Sequence, residues 1–496
     1  MKISGANFIG STLSIKGSSS FKTFNPVLNQ ENEWDFFQAT KEEVDEAVCK
    51  AQTAFFAFSR IDPKKRALFL NEIIHQLELS KALILEVYQL ESALPLNRAL
   101  AEFQRTVQQL SNFSAILTEG KWPSVNYEPA DISRIPIKQS LQKTQIGIGP
   151  VVVFGASNFP LAYSTIGGDS VAALAAGCPV IVKSHPMHAG TGELVAKAVV
   201  NAAKITTMPD GVFSNLNAID FQVGQQLVEH EGVAAVGFTG SIKGGVALLK
   251  LAASRNNPIP VFAEMGSVNP ILLFPIKASD IKLWASKIVL SITNNSGQFC
   301  TKPGLIFCLK SPTSEDFFST LNQQFSSVNS DYMVSPIICS NYNLRIEELK
   351  KYNEIEFHEG ISHAIPNTGR PVFARIDGKE FVKHPSLQQE VFGPFSMVVF
   401  FDSMDDLVNA YSALDGQLTT SFFGVNSNDL SHEKLIFLAS QKAGRIIFDE
   451  VPTGVEITSA MHHSGAFPAS SDIRFTAVGV NSIDRFSRPI VYQNKQ

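Results

Sequence analysis

The feature that most limits how this chain can fold is a series of short, wholly apolar stretches that begins after Gly149 and alternates with helical sequence. Val151-Val152-Val153 and Val180-Ile181-Val182 carry no polar residue on either side of a pleat. A strand that faces water on one side alternates apolar with polar residues; one that is apolar at every position is covered on both faces. Residues 150–154, 179–183, a stretch near 212–214 and 233–238 read as such strands, with an alanine-rich helix over 168–177 and another helix after Lys183. Buried strands joined by helices make a parallel sheet, so the reading is α/β: a doubly wound, Rossmann-type domain that holds a dinucleotide at the carboxyl ends of its strands.

At 496 residues the chain exceeds what one core holds, and two or three domains are expected. A second α/β region starts near Gly266, with a strand over 269–274 and a helix over 283–293. It runs to about Phe448, after which Pro452-Thr453-Gly454 leads back to the first. The first forty residues mix Gly, Ser and Asn with short β-type pieces and read as an extended arm on the body. Thr40 and Glu43 form a capping box ahead of Val44, Ala47, Val48, Ala51, Phe55 and Phe58 at helical spacing. Asp62-Pro63 opens a second helix with Leu68, Leu70, Ile73, Ile74 and Leu77 on or near one face, and a third spans roughly 99–117. Between 131 and 148 polar and apolar residues alternate, which predicts a β-hairpin whose partner is the last stretch, 486–493. The expected boundaries are 1–130, 149–265 and 449–480 for the dinucleotide-binding domain, 266–448 for the second, and 131–148 with 481–496 for a small β-flap.

A net charge of −5 gives no reason to expect nucleic acid or an acidic membrane as partner, so an anionic ligand needs a local site. No run reaches the ~18 apolar residues of a membrane span, and the opening Met1-Lys2-Ile3-Ser4-Gly5-Ala6-Asn7 has no long apolar core. Five cysteines, odd in number and without a Cys-X-X-Cys pair, fit a reducing compartment. A cytoplasmic protein is expected.

One of the five stands in Ser296-Gly297-Gln298-Phe299-Cys300-Thr301-Lys302-Pro303-Gly304, held between turn formers and off any regular ladder. A thiolate so placed is a candidate nucleophile; the plain alternative is a small buried apolar residue. Two more stretches supply its complement. Glu264, in Ala263-Glu264-Met265-Gly266, is an acid at the end of an apolar strand. Asn158, in Phe154-Gly155-Ala156-Ser157-Asn158-Phe159-Pro160, is an amide on the turn after another. Nucleophile, base and oxyanion donor are thereby all present. Gly240-Ser241-Ile242-Lys243-Gly244-Gly245 follows a strand and opens a helix, as a phosphate-binding turn does, without the Gly-X-Gly-X-X-Gly spacing.

These stretches resemble the aldehyde dehydrogenase superfamily in sequence and in order: the Gly-Gln-Phe-Cys turn, the Glu-Met-Gly segment before it, the Asn-Phe-Pro turn and Gly237-Phe238-Thr239-Gly240-Ser241. The resemblance implies a cofactor domain, an α/β catalytic domain and a β-flap used for homodimer or homotetramer contacts, although solvated edge strands would read alike. It implies catalysis by Cys300, Glu264 and Asn158 through a thioester, with no metal, and structural roles for Cys49, Cys178, Cys308 and Cys339. Around the cofactor it implies Gly240, Ser241 and Gly245 at the pyrophosphate, and Lys183 at the adenosine ribose. Glu390, in Glu390-Val391-Phe392-Gly393-Pro394, falls at the nicotinamide ribose with Phe392 beside the ring. Members that prefer NAD carry a glutamate three residues after that lysine; here Pro186 stands there. A 2′-phosphate then meets no carboxylate, and Ser184 or His185 can hydrogen-bond it, so NADP is expected with NAD usable. Glu91-Ser92-Ala93 in place of Glu-Thr-Gly, and Asp449 where asparagine is usual, depart from the pattern.

The tail Ala460-Met461-His462-His463-Ser464-Gly465-Ala466-Phe467-Pro468-Ala469-Ser470-Ser471-Asp472, with Phe475-Thr476-Ala477-Val478-Gly479, resembles the branch acting on α-ketoglutarate semialdehyde (2,5-dioxopentanoate). Arg105 is then the expected partner of the substrate carboxylate, against a structural arginine, with Phe159, Tyr163 and Phe467 walling the tunnel. Three other readings stand beside this one: an NADP-linked fatty or broad-specificity enzyme, a CoA-acylating enzyme, which Glu264 opposes, and a catalytically silent binding protein on the same fold.

Overall fold

The computed structural model describes residues 3–274, 277–426 and 429–495; Met1 and Lys2 of the opening stretch lie outside them. Five strands, Val261–Glu264, Ala235–Thr239, Val151–Phe154, Val180–Lys183 and Phe213–Leu216, pair in parallel in that order. Sequence order runs one way from Val151–Phe154 and reverses beside it, so the switch point of the sheet lies between Phe154 and Thr239, where ligands of doubly wound sheets bind. The N-terminal residues are more than an arm: Asn7–Ile9 adds to Phe213–Leu216 and Thr12–Ser14 to Asn7–Ile9, both antiparallel, making seven strands. The buried carboxylate of Glu193 fastens this edge by accepting N–H bonds from Ser4 and Gly5.

A second seven-stranded sheet takes the order Glu356–Glu359, Val372–Asp377, Phe395–Phe401, Leu305–Leu309, Ile271–Leu273, Gln417–Phe423, Ala443–Phe448, all parallel except the first pair. Phe395–Phe401 is buried at all seven positions, as a strand covered on both faces must be. Outside both sheets, Ser487–Gln493 pairs with Leu141–Gly147, and that strand with Asn126–Glu128. The hairpin therefore starts before residue 131, and within 131–148 only Leu141–Gly147 is a regular strand. Ile132 and Ile135 on its connection are 84% and 98% exposed.

Thr40 and Glu43 close the capping box of helix Lys41–Phe58, and Asp62 accepts the Lys64 N–H at the start of Pro63–Ser92. Leu70, Ile73 and Leu77 are buried on that second helix, whereas Leu68 faces solvent. The Glu91-Ser92-Ala93 departure sits at its end. Glu91 accepts N–H bonds from Gly190 and Thr191, satisfying the first turn of helix Ala189–Ile205. Ala93 caps the helix in the left-handed region, at φ 57° and ψ 6°, where a Cβ is strained by about 1 kcal/mol. Ala93→Gly is expected to raise stability by up to about that amount, partly offset by unfolded-chain entropy, read as a higher urea midpoint at unchanged slope. Among the described residues no helix is long and apolar enough to cross a membrane.

Candidate active site

The turn that carries Cys300 is held in an unfavourable backbone shape by its surroundings. Asn295, Ser296 and Gly297 have φ of 47°, 54° and 62°. A Cβ on Gly297 would lie 2.4 Å from the Gly393 carbonyl oxygen and 2.6 Å from that of Ile292, so only glycine fits. Left-handed non-glycine residues cost on the order of 1–3 kcal/mol each and persist only where other contacts impose them. Those contacts are specific. Ser296 Oγ donates to the Asp331 carbonyl, Gln298 Oε1 accepts the Val334 N–H, and Asn269 Nδ2 donates to the carbonyls of Cys300 (2.7 Å) and Lys302 (3.1 Å). Lys302 is fully buried and spans from Cys300's turn to Glu390's, donating to the carbonyls of Val391 and Phe395. Burial pushes its ammonium down, with Glu390 opposing. Glu390 is correspondingly pushed up by burial.

Glu264 ends the strand Val261–Glu264 with its side chain 2% exposed. The tail of residues 460–479 runs against that strand: Ser470 bridges Glu264, and the Met265 N–H donates to the Ala469 carbonyl. This placement delivers His463, whose N–H donates to Thr476 Oγ1 and whose side chain is 2% exposed. His463 Nε2 lies 3.6 Å from Cys300 Sγ and 3.7 Å from Glu264 Oε2. One ring nitrogen thus faces both the nucleophile and the base. The Cys300 thiol is pushed well up, chiefly by burial and then by the charges of Glu264 and Glu390, with Arg105 and Arg445 opposing. A thiol so disfavoured as an anion needs a neighbour that takes its proton, and the imidazole is in place to do so.

Asn158 Nδ2 donates to the Gln298 carbonyl at 2.9 Å, which fixes the amide against the nucleophile turn and leaves its second N–H free for a ligand. Among the described residues the Cys300 N–H has no protein acceptor. Phe159 packs edge-on against Tyr163 and Phe299, and Arg98 lies 4.3 Å over Phe159 and 4.7 Å over Phe299. Arg105 donates to Tyr163 Oη and the Val455 carbonyl, while Arg445 donates to the carbonyls of Gly454 and Pro452. Phe467 does not join this wall: its ring is 60% exposed and its carbonyl accepts the Gly416 N–H, turning it away from the cleft. Asp449, at φ 51°, uses one oxygen to accept the Gly424 N–H, a bond that asparagine would make equally well.

A cleft of about 390 Å³ joins Cys300, Glu264 and Asn158 to Thr239, Gly240, Ser241, Glu390 and Phe392. Ser241 Oγ accepts the Gly244 N–H and caps helix Ile242–Ala253, so an anion there meets the free backbone N–H groups of the first turn. Gly245 lies off the cleft: a Cβ on it would come 2.3 Å from Met265 Sδ, which makes it a packing residue. Lys183 ends its strand half-buried, and among the described residues its ammonium has no hydrogen-bond acceptor. Burial lowers its pKa to about 8, against the pull of Asp220. His185 Nδ1 accepts the Met187 N–H, and the ring stacks on His188 with centroids 5.0 Å apart. Burial pushes His185 well down, so it is neutral and carries its proton on Nε2. Ser184 is 1% exposed. Its hydroxyl lies on the Gly192 side of the strand, where a Cβ on Gly192 would sit 3.2 Å from it, and it cannot reach a surface phosphate. An open helix start and a carboxylate in one cleft, with a free ammonium at the carboxyl edge of the same sheet, fit a dinucleotide.

Thiol chemistry at the carboxyl edge of a doubly wound sheet places the molecule among the dinucleotide-dependent oxidoreductases that work through a cysteine. The match is specific: the model of the Aldehyde dehydrogenase family covers residues 14–460, the chain belongs to that family, and it is an NAD(P)-dependent enzyme. It is 40% identical to an alpha-ketoglutaric semialdehyde dehydrogenase of Acinetobacter baylyi, over 99% of this chain and 94% of that one. It is 37% identical to alpha-ketoglutaric semialdehyde dehydrogenase 2 of Azospirillum brasilense, over 100% and 95%. In fold it is similar to the aldehyde dehydrogenase KauB from Pseudomonas aeruginosa, at a TM-score of 0.84 and 20% identity, covering 100% and 97%.

Proposed function

We propose that this enzyme oxidises 2,5-dioxopentanoate to 2-oxoglutarate, releasing the free acid. The observation that carries the chemistry is that Cys300 and Glu264 border the cleft with His463 in contact with both behind them. His463 Nε2 takes the thiol proton, and the Cys300 thiolate adds to the aldehyde carbon. The second N–H of Asn158 and the backbone N–H of Cys300 hold the oxyanion, each worth about 3 kcal/mol in the transition state. Bound NAD(P)+ supplies the hydride acceptor. The substrate, one hydride poorer, remains as a thioester on Cys300, and Glu264 then draws a proton from the water that hydrolyses it.

The substrate reading is supported by the two relatives above and by the positive charge beside the sulfur. Arg105 and Arg445 both act on the Cys300 thiol, and the Nε–H of each has no protein acceptor among the described residues. A fatty aldehyde offers these buried donors nothing. With Arg105 on the carboxylate, kcat/KM for 2,5-dioxopentanoate is expected to exceed that for hexanal by roughly 10–100-fold, the worth of a charged hydrogen bond. Arg105→Ala is expected to erase most of the difference. Preference for hexanal in the unmodified enzyme would overturn the substrate assignment, and an unchanged ratio in the variant would overturn the role of Arg105.

NADP is the preferred cofactor in this reading, with Lys183 and the neutral His185 on the 2′-phosphate and Pro186 leaving it unopposed. The Lys183 ammonium is present below its pKa of about 8 and lost above it. NADP affinity, read by calorimetry, is therefore expected to fall by up to about tenfold as pH rises through that value, while NAD affinity stays level. Residues 149–265 hold the cofactor, 266–448 present the nucleophile, and the three-stranded flap, with its exposed Ile132 and Ile135, supports a homo-oligomer.

A further inference from the structure

Cys300 Sγ, His463 Nε2 and a Glu264 carboxylate oxygen lie within 4.8 Å of one another. The separations from His463 Nε2 are 3.6 Å to the sulfur and 3.7 Å to Glu264 Oε2. Ligands bound tetrahedrally to zinc at about 2.0–2.3 Å stand about 3.3–3.6 Å apart, so both separations from His463 are already at or within tenths of an ångström of that spacing, and the sulfur and the carboxylate, within 4.8 Å of each other, close the triangle around an ion. Thiolate, imidazole and carboxylate are zinc's own donor types, and three of them with one open position is its usual reactive arrangement. The side chains of His463 and Glu264 are each 2% exposed and set by backbone bonds from the tail and the strand, so the donors are already arranged. Glu264 and Cys300 both border the cleft, which gives the ion a way in and leaves water for the fourth position.

We propose that this trio is a reversible inhibitory site for a divalent cation of the zinc class. Binding exchanges the Cys300 S–H for a sulfur–metal bond and releases one proton per ion, with His463 bound as neutral imidazole and Glu264 as carboxylate. The nucleophile and the base of the proposed reaction are then occupied together. The site's existence does not depend on that reaction; only the loss of turnover rests on it. A second group, Glu354, Glu380 and His384, is exposed or half-buried and lacks sulfur, which makes it an internal contrast.

The test is titration of the chelator-stripped full-length protein with Co²⁺, followed by displacement with Zn²⁺. One equivalent of Co²⁺ is expected to give a sulfur-to-cobalt charge-transfer band with tetrahedral d–d bands, which Zn²⁺ abolishes. Cys300→Ser is expected to remove the charge-transfer band, and His463→Ala to weaken binding by at least about 10–100-fold, the loss that removal of even a group supporting a ligand causes. Turnover is expected to disappear in step with Zn²⁺ occupancy and return with chelator. No charge-transfer band, a band that survives Cys300→Ser, or unchanged affinity in His463→Ala would overturn the site, and full turnover at full occupancy would overturn its inhibitory role. Turnover in chelator alone tests the reaction, so the two failures are told apart.

Discussion

Cys300→Ala is expected to abolish aldehyde oxidation, by about four orders of magnitude or more, while leaving cofactor affinity within about twofold. The loss is that large because no other thiol reaches the cleft. Cys178 and Cys308 are buried in the cores, where burial pushes the first up to about 11 and the second well up, an apolar setting that favours the inert thiol, and Cys339 is buried beside Thr368. Cys49 is exposed on helix Lys41–Phe58. In the proposed assignment the cofactor rests on Lys183, Ser241 and Glu390, which stand on other elements, so its affinity is expected to survive. Steady-state turnover and calorimetry on the same preparation check both halves. Residual turnover above a few per cent would remove Cys300 from its role.

Glu264→Gln is expected to slow thioester hydrolysis by about 10²–10⁴-fold, with much less effect on formation of reduced cofactor. Gln keeps the volume and the hydrogen-bonding reach of a side chain that is 2% exposed, so the turn and His463 stay in place. What it loses is the proton acceptor for water. Stopped-flow measurement should show one equivalent of reduced cofactor per site in a burst, followed by a slow steady state. If the burst slows as far as turnover and no acyl-enzyme forms, the base acts before hydride transfer or is another group.

The parts of the molecule legible in sequence are those fixed by neighbours in the chain. Val151-Val152-Val153 and Val180-Ile181-Val182 declare strands buried on both faces, Thr40 and Glu43 declare a helix start, and the glycine and Pro-Gly around Cys300 declare a turn. What stayed hidden depends on distant pairing. His463 stands 163 residues from Cys300, and only the docking of the tail along Val261–Glu264 brings them together. Its one signal in the sequence is a histidine in a motif that resembles a substrate branch. Arg98, two turns from Arg105 on helix Leu96–Thr118, sits over Phe159 and Phe299, and nothing local marks it. Lys302 reads as an ordinary charged residue in a turn, yet it is one of the largest fully buried side chains because two carbonyls receive it. Ser184 faces away from the ligand edge for a simpler reason. Side chains alternate along an extended segment, so if Lys183 points to the ligand edge, Ser184 points inward. Phe467 is aromatic and close in sequence to His463, but the chain has turned by then and carries its ring outward.

The central claim is that the substrate passes through a thioester on Cys300 that water, activated by Glu264, resolves. It is tested most directly by mixing the Glu264→Gln enzyme with 2,5-dioxopentanoate and oxidised cofactor for one turnover, quenching in acid, and reading the peptide masses. An acyl adduct of the substrate's mass on the peptide containing Cys300, in the amount of reduced cofactor formed, is the predicted result. Reduced cofactor without an adduct, or an adduct on another cysteine, would contradict it.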